Sequence, residues 1–262
     1  MNIEKIKIKP QWSQSKDEIW NELFDHLEDT PSTKVVPFYK SKLWTYGIAA
    51  AIAVLLLIPS VAYFYTTEVT VGKGELLTYQ LPDGSTTQIN ADSKLSFKPL
   101  WWNISREINL DGEAYFEVKK GKQFSVVSTH GRVSVLGTSF NVKARATDYE
   151  VACLEGKVKV NSKENEVILT QGMQTEYTNG VLSAITTDGV DKAIGWTKNM
   201  FHFNSIPLSE VLNEVERQYN ITIDRTGLAD FSYSGSFPKL ENPQEVLRII
   251  EKPFNLNLKI IN

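Results

Sequence analysis

The chain has 262 residues with 28 basic and 31 acidic side chains, and its formal net charge at pH 7 is −3. This balance lacks the basic excess that nucleic-acid-binding proteins use against phosphates, so it argues against direct binding of nucleic acid. The single cysteine, Cys153, has no partner for an internal disulfide, and its strand-like setting VACLEG predicts a small buried side chain rather than a nucleophile.

The first 42 residues form a short arm that contains one amphipathic helix. Ser15 and Glu18 have the spacing of a capping box, which predicts a helix from about Lys16 to Glu28. Apolar residues at intervals of three and four place one stripe on this helix, and acidic residues fill the other face. The stripe consists of Ile19, Trp20, Leu23, Phe24 and Leu27.

The stripe has no second amphipathic segment in the arm to cover it. A single helix of this length is marginal in water by itself, so the pattern predicts a partner that receives the stripe. The alternative is a helix that rests on a bilayer surface. Such helices favour Lys and Arg on the polar face, whereas this polar face is acidic.

Residues 43–65 form a run of 23 residues without a charge. At about 1.5 Å of rise per helical residue, this run covers a hydrocarbon core of about 30 Å. It is longer than the apolar region of a signal peptide and starts farther from the N-terminus, so we expect an uncleaved anchor. Lys34, Lys40 and Lys42 precede the run with no acid between them, and the positive-inside rule places the N-terminus in the cytoplasm.

Pro59 and Ser60 interrupt the helical ladder in the last third of this span. One interpretation is a transmembrane kink where a site protease that needs unwound helix gains entry. The other is an ordinary membrane-helix proline. Replacing Pro59 with Leu separates the two, because unchanged processing in cells contradicts the first.

Residues 69–189 carry short alternating segments broken by turn signals, which predicts an all-β domain with a jelly-roll or solenoid-like layout. We expect hairpin turns at Pro82-Asp83-Gly84 and at Asp111-Gly112. The sequence pattern changes near residue 190, and residues 190–262 predict a small α+β domain made of two β-α-β units. Its second helix is expected to begin with Asn242 as the capping residue.

Several segments of the sequence resemble a known protein family. The runs LPDGSTTQINADSKLSF, REINLDGEAYFEV, FSVVSTHGRVSVLGTSFNV, VACLEGKVKV and LTQGMQTEY resemble the periplasmic domain of FecR-type anti-sigma regulators. The tail WTKNMFHFNSIPLSEVLNEVERQYNITI resembles the secretin/TonB short N-terminal-like module that closes many Bacteroidetes members of that family. The resemblance covers roughly residues 70–262.

The resemblance implies a regulator that holds an extracytoplasmic-function sigma factor at the bacterial inner membrane. It implies a periplasmic C-terminus that responds to the signalling domain of a TonB-dependent outer-membrane transducer, with site proteases that complete release of the sigma factor. Longer family members have a multi-helix cytoplasmic domain, which a 42-residue arm cannot form. We expect the arm to dock instead as a helix in a groove. The candidate sigma-binding residues are Trp12, Ile19, Trp20, Leu23, Phe24 and Leu27.

Two other classes of function are weaker alternatives. His26, His130 and His202 stand apart in the sequence, so neither a metal cluster nor a catalytic triad is visible, and we expect neither an enzyme nor a cofactor. The pair Trp101-Trp102 invites stacking on a sugar ring, which would suit a membrane-anchored glycan-binding or envelope-scaffold protein. Aromatic pairs also pack in protein cores, and the sequence leaves both interpretations open.

Overall fold

The computed structural model describes residues 13–25, 42–145, 148–162, 165–178, 181–186 and 189–261. Contacts divide the chain into two units, Met1–Val54 and Leu55–Asn262. The first unit contains helix α1 and the start of helix α2. The second unit contains the rest of α2 and all of the strands.

Helix α1 spans Lys16–Asp25 and begins with the predicted capping box. The Ser15 N–H donates to Glu18 Oε2 at 2.8 Å, and the Glu18 N–H donates to Ser15 Oγ at 3.2 Å. These two bonds satisfy backbone donors that have no partner inside the helix, so the local sequence fixes where α1 begins. The predicted last turn, residues 26–28, lies outside the described residues.

Helix α2 spans Lys42–Phe64. Its stretch Trp44–Phe64 is long and apolar enough to cross a membrane, and none of the most apolar window within it is buried. A core helix of a water-soluble protein would be covered by other elements, whereas this apolar surface is open on all sides. The predicted span of residues 43–65 therefore corresponds to one helix, by its length and composition.

Thirteen strands of the described chain belong to one hydrogen-bonded network. They are β1 (Thr67–Val71), β2 (Leu77–Gln80), β3 (Thr86–Ile89), β4 (Ser93–Phe97), β5 (Arg106–Glu117), β6 (Phe124–Val127), β7 (Arg132–Val135), β8 (Ser139–Arg145), β9 (Asp148–Glu155), β10 (Lys157–Ser162), β11 (Asn165–Thr170), β12 (Met173–Thr178) and β13 (Val181–Thr186). The network divides into two sheets that share β5: one in the order β1-β4-β5-β6-β7-β10-β11 and one in the order β2-β3-β5-β8-β9-β12-β13.

The pair β5–β6 is parallel, whereas the other pairs of this network are antiparallel in the described residues. The prediction of a strand-rich domain is confirmed. The sheet is mixed, however, and it does not form a clear jelly roll. The predicted jelly-roll or solenoid-like layout is therefore not confirmed, and the long strand β5 joins both sheets.

Strand β5 changes sheets at Gly112, where φ is 120°. Asp111 pairs with Lys94 in the first sheet, and Gly112 pairs with Ala144 in the second. The Phe116 ring, on the second half of β5, lies 5.9 Å from the Phe124 ring of β6 in the first sheet, so the two sheets face each other across the core. The predicted hairpin at Asp111-Gly112 is therefore wrong, because one continuous strand bends there. The other predicted hairpin is confirmed, since β2 and β3 pair across Pro82–Gly84.

One apolar core lies between the two sheets and contains side chains from both. Its largest fully buried side chains include Phe97, Phe116, Phe124 and Phe140. Cys153 belongs to this core and is fully buried, and burial raises the pKa of its thiol to about 11. The prediction of a small buried cysteine side chain is confirmed, and a raised thiol pKa disfavours the nucleophilic thiolate.

The C-terminal module has its own apolar core. It consists of β14 (Met200–Pro207), α3 (Leu208–Tyr219), β15 (Ser232–Pro238) and α4 (Pro243–Glu251), preceded by a 3₁₀ helix over Val190–Lys198. Strands β14 and β15 pair antiparallel. Asn242 caps α4 as predicted, since its side chain accepts from the Gln244 N–H at 3.0 Å. The other two predicted strands are reduced to a single antiparallel bridge between Ile223 and Ile260.

Candidate functional surfaces

The apolar stripe of α1 is exposed. The exposed fractions of Ile19, Trp20, Leu23 and Phe24 are 37, 49, 55 and 56%, and the Trp20 and Phe24 rings lie 5.6 Å apart. The structure thus places four of the six candidate sigma-binding residues together on one described helix. Trp12 and Leu27 lie outside the described residues. Transfer of each exposed aromatic ring from water into an apolar interface is favourable, and the stripe forms a contiguous surface that a partner can cover.

Helix α2 continues through Pro59, which lies inside it. Proline has no backbone N–H, so the Leu55 carbonyl lacks its usual helical donor. The hydroxyl of the next residue bonds to a different carbonyl, since Ser60 Oγ donates to the Leu56 carbonyl at 2.8 Å. Membrane helices tolerate proline, and the proposed protease entry at Pro59 and Ser60 stays a prediction.

A buried polar network joins the β domain to α3 of the C-terminal module. Gln218 Nε2 donates to Asn90 Oδ1 at 2.7 Å and to Glu214 Oε1 at 2.9 Å. Asn90 Nδ2 in turn donates to Glu113 Oε2 at 2.8 Å. An unbroken chain of hydrogen bonds therefore runs from β5 to α3. Because Asn90, Glu113 and Gln218 are buried, losing one of them leaves polar partners without water to replace it.

Two carboxylates face each other across this network with opposite pKa shifts. Burial raises the pKa of Glu113, and the negative charge of Glu214 raises it further against the opposing effects of Lys143 and Arg145. For Glu214, burial acts to raise the pKa, but Arg217 and Arg145 outweigh it and the net shift is downward. Arg217 also forms an ion pair with Glu214 at 2.6 Å. The interface thus separates the pKa values of the two carboxyl groups.

The Glu113→Gln variant is expected to reduce the pH dependence of stability. A raised folded-state pKa means that the contribution of protonated Glu113 is fully present below its ordinary value of 4.5 and is lost as the pH rises through the folded-state pKa. The free energy of unfolding should therefore decline above pH 4.5, and this decline should be smaller in the variant, where Glu210, whose pKa burial also raises, still contributes. Denaturant unfolding of the full-length protein in detergent, measured at a series of pH values, checks this.

The exposed residue Glu241 provides the matched control. The Glu241→Gln variant should keep the wild-type pH profile, because its carboxyl lies outside the buried network. A Glu113→Gln variant that retains the full wild-type decline would show that this carboxyl does not titrate as the network requires. Glu214 does not confuse the result, since its lowered pKa places its own titration below the window that is measured.

The two neighbouring tryptophans have different surroundings. Trp102 is only 3% exposed and packs with ring centroids 5.3 Å from Phe97 and 6.0 Å from Phe124. Trp101 is half-buried and contacts Tyr63 edge-on at 5.6 Å. The pair therefore does not present two rings to a sugar, and the observation that favoured a glycan-binding protein is lost.

The histidines are used structurally in the described part of the chain. His130 stacks on Tyr149 at 5.5 Å, and His202 Nδ1 lies 2.7 Å from Ser236 Oγ. Among the described residues, no group of three or more His, Cys, Asp or Glu side chains is arranged to hold a metal ion. His26 lies outside the described residues.

Comparison with known proteins identifies the class. Residues 67–159 match the family described as FecR protein, and residues 200–262 match the family described as FecR, C-terminal. Two crystal structures of a candidate anti-sigma factor from Parabacteroides distasonis ATCC 8503 are similar to the chain. One, at 2.50 Å resolution, has a TM-score of 0.69 and 29% sequence identity and covers 74% of this chain and 93% of that chain. The other, at 1.65 Å, has a TM-score of 0.68 and 30% identity and covers 73% and 93%.

These similarities place the chain in the class of anti-sigma regulators. Membership of this class implies, in general terms, a sigma factor as partner. The chain belongs to the FecR family and is a FecR-type anti-sigma factor. The apolar helix α2 near the N-terminus and the family membership fit a protein that crosses the inner membrane once. A search of curated proteins finds no match.

Proposed function

We propose that this protein holds an extracytoplasmic-function sigma factor at the inner membrane through its arm, residues 1–42. In this proposal the N-terminus lies in the cytoplasm, as the lysines before the span suggest, and the C-terminus lies in the periplasm. The observation that carries the proposal is the exposed apolar face of α1, which has no buried residue. An amphipathic helix of this kind fits a hydrophobic groove on a partner.

The proposed input is the signalling domain of a TonB-dependent outer-membrane transducer, received by the C-terminal module. Strands β14 and β15 form a two-stranded sheet, so each strand has one edge that pairs with no other described strand. An open edge accepts a further strand through backbone hydrogen bonds. The network Asn90–Gln218 supports the relay, because it couples the module to the β domain. Proteolysis within the span, near Pro59, completes release of the sigma factor in this proposal.

The test is co-purification of membrane-extracted protein with the sigma factor encoded nearest to it. The full-length protein should capture the sigma factor, whereas a version that lacks residues 1–42 should not. Capture by both would place the contact outside the arm and contradict this assignment. Capture by neither would contradict sigma-factor holding itself and leave the transducer interaction to be tested separately with the same membranes.

A further inference from the structure

One end of the first sheet lies next to the point where the chain leaves the span. Helix α2 ends at Phe64 and β1 begins at Thr67. Three peptide steps separate these residues, so their Cα atoms are at most about 11 Å apart. Thr67 pairs with Phe97, the last residue of β4. The segment 98–105, which follows β4 directly, must therefore lie at the membrane end of the domain.

Two further segments lie at the same end. Arg106 at the start of β5 pairs with Phe124 at the start of β6, and Phe124 also pairs with Val135 at the end of β7. Segments 118–123 and 136–138 are therefore neighbours of segment 98–105. Side-chain hydrogen bonds connect segment 118–123 to segment 98–105 and to the start of β5. Lys122 Nζ donates to the Asn103 carbonyl at 3.0 Å, and the Arg106 guanidinium donates to the carbonyls of Lys119 and Lys122.

These segments form what we call the membrane-proximal surface. It consists of Lys98, Leu100, Trp101, Ile104, Lys119, Lys120, Lys122 and Leu136. Its three aliphatic side chains are among the more exposed in the β domain, with exposed fractions of 60% for Leu100, 66% for Ile104 and 65% for Leu136. Large apolar side chains at the surface of a domain usually mark a contact with a partner or a bilayer.

The surface is continuous with the aromatic end of the span. The Tyr63 ring contacts Trp101 edge-on at 5.6 Å, and Lys98 Nζ lies 3.5 Å from the centre of the same ring. Tyrosine and tryptophan at a helix end settle in the headgroup region of a bilayer. Because Trp101 touches such a residue, the surface around it lies at headgroup depth.

The charge of this surface is positive. Lys119, Lys120 and Lys122 are exposed, and Lys157 at the start of β10 is exposed beside them. Of the acids at this end, Asp83 is ion-paired with Arg106 at 2.6 Å. Glu117 and Glu155 lie at the same end on the second sheet, since both pair with Ser139, and the four exposed lysines outnumber these two acids. Lysines close to a membrane surface are attracted to anionic lipid headgroups.

We propose that the membrane-proximal surface lies on a bilayer of anionic phospholipid at the C-terminal end of the span. Leu100, Trp101 and Ile104 enter the headgroup region, and the lysines contact lipid phosphates. The C-terminal module contacts the opposite end of β1, since the Gly74 N–H donates to the Arg217 carbonyl at 2.7 Å. A domain held in this way therefore directs the module away from the bilayer and toward an incoming partner.

The experiment places a fluorescent label at Ile104→Cys in the full-length protein, reconstituted in nanodiscs of phosphatidylglycerol and phosphatidylethanolamine. Cys153 is fully buried and stays unlabelled. Lipids with a nitroxide on the headgroup should quench most of the fluorescence at position 104. The matched control is Ile261→Cys, whose native side chain is 62% exposed in the C-terminal module, and its label should keep most of its fluorescence.

Equal quenching at the two positions would overturn the proposal. Quenching in the absence of nitroxide lipid that increases when a second labelled copy of the protein is present would also overturn the proposal. The surface would then contact another protein chain instead of the bilayer. Exchange of phosphatidylglycerol for phosphatidylcholine should reduce the quenching at position 104, and unchanged quenching would contradict the role of the lysines. Circular dichroism of each variant should match the wild type, since both substituted side chains are exposed.

Discussion

Replacing both Trp20 and Phe24 with Ala in the full-length protein is expected to abolish capture of the sigma factor. Aromatic anchors at the centre of an interface typically cost about 2 kcal/mol or more each when truncated, which is roughly 30-fold in affinity per residue. The two rings lie 5.6 Å apart and are about half exposed, so they act as one patch that a groove can enclose. Co-purification with the cognate sigma factor measures the loss.

The opposite face of α1 offers a matched control. Glu22 and Asp25 lie on the acidic side of the helix, and changing both to Ala should leave capture largely intact. Alanine has the highest helix propensity, so neither double variant removes the helix itself. Capture that survives the Trp20 and Phe24 changes would mean that the exposed face of α1 is not the sigma-binding surface.

Features that depend on a few neighbouring residues are predictable from the sequence. The capping bonds of Ser15 with Glu18 and of Asn242 with Gln244 form as expected, because each partner lies two or three residues away. The turn at Gly84 also forms, with φ at 78°, which glycine adopts without a steric cost. The apolar stripe of α1 is also predictable, because it depends only on the spacing of residues within one helix.

Features that depend on distant residues are not predictable in this way. Asp111-Gly112 carries a hairpin signal, but the glycine is needed there because Ser93 approaches the backbone from another strand. Gln218 and Asn90 meet across 128 residues of sequence, and neither carries a local signal of its role. The neighbouring residues Trp101 and Trp102 look alike in the sequence, yet the fold buries the second and places the first beside Tyr63.

Strand β5 is the element that joins both sheets, and its bend depends on a close approach at Gly112. The Ser93 hydroxyl accepts a hydrogen bond from the Glu113 N–H at 3.0 Å. A Cβ added at Gly112 would lie 2.4 Å from Ser93 Oγ and 2.7 Å from Ser93 Cα. The second of these atoms is backbone, so a rotamer change cannot relieve the contact.

The Gly112→Ala variant is therefore expected to lose about 3–5 kcal/mol of unfolding free energy, from backbone strain and overpacking together. Denaturant unfolding of the full-length protein in detergent, followed by near-ultraviolet circular dichroism, measures this loss. The Gly172→Ala variant is the matched control, because Gly172 also has a positive φ, 84°, but nothing lies within 4 Å of an added Cβ.

The control should lose only about 1 kcal/mol, the usual cost of a left-handed conformation for alanine. The difference between the two variants measures the contact between Gly112 and Ser93 together with the added backbone strain of a φ of 120° over one of 84°. Equal losses would show that β5 tolerates a side chain at its bend. Both halves of β5 would then keep their pairing without this close approach. The strand register, which places segment 98–105 at the membrane end and Glu113 in the buried network, would therefore not depend on Gly112.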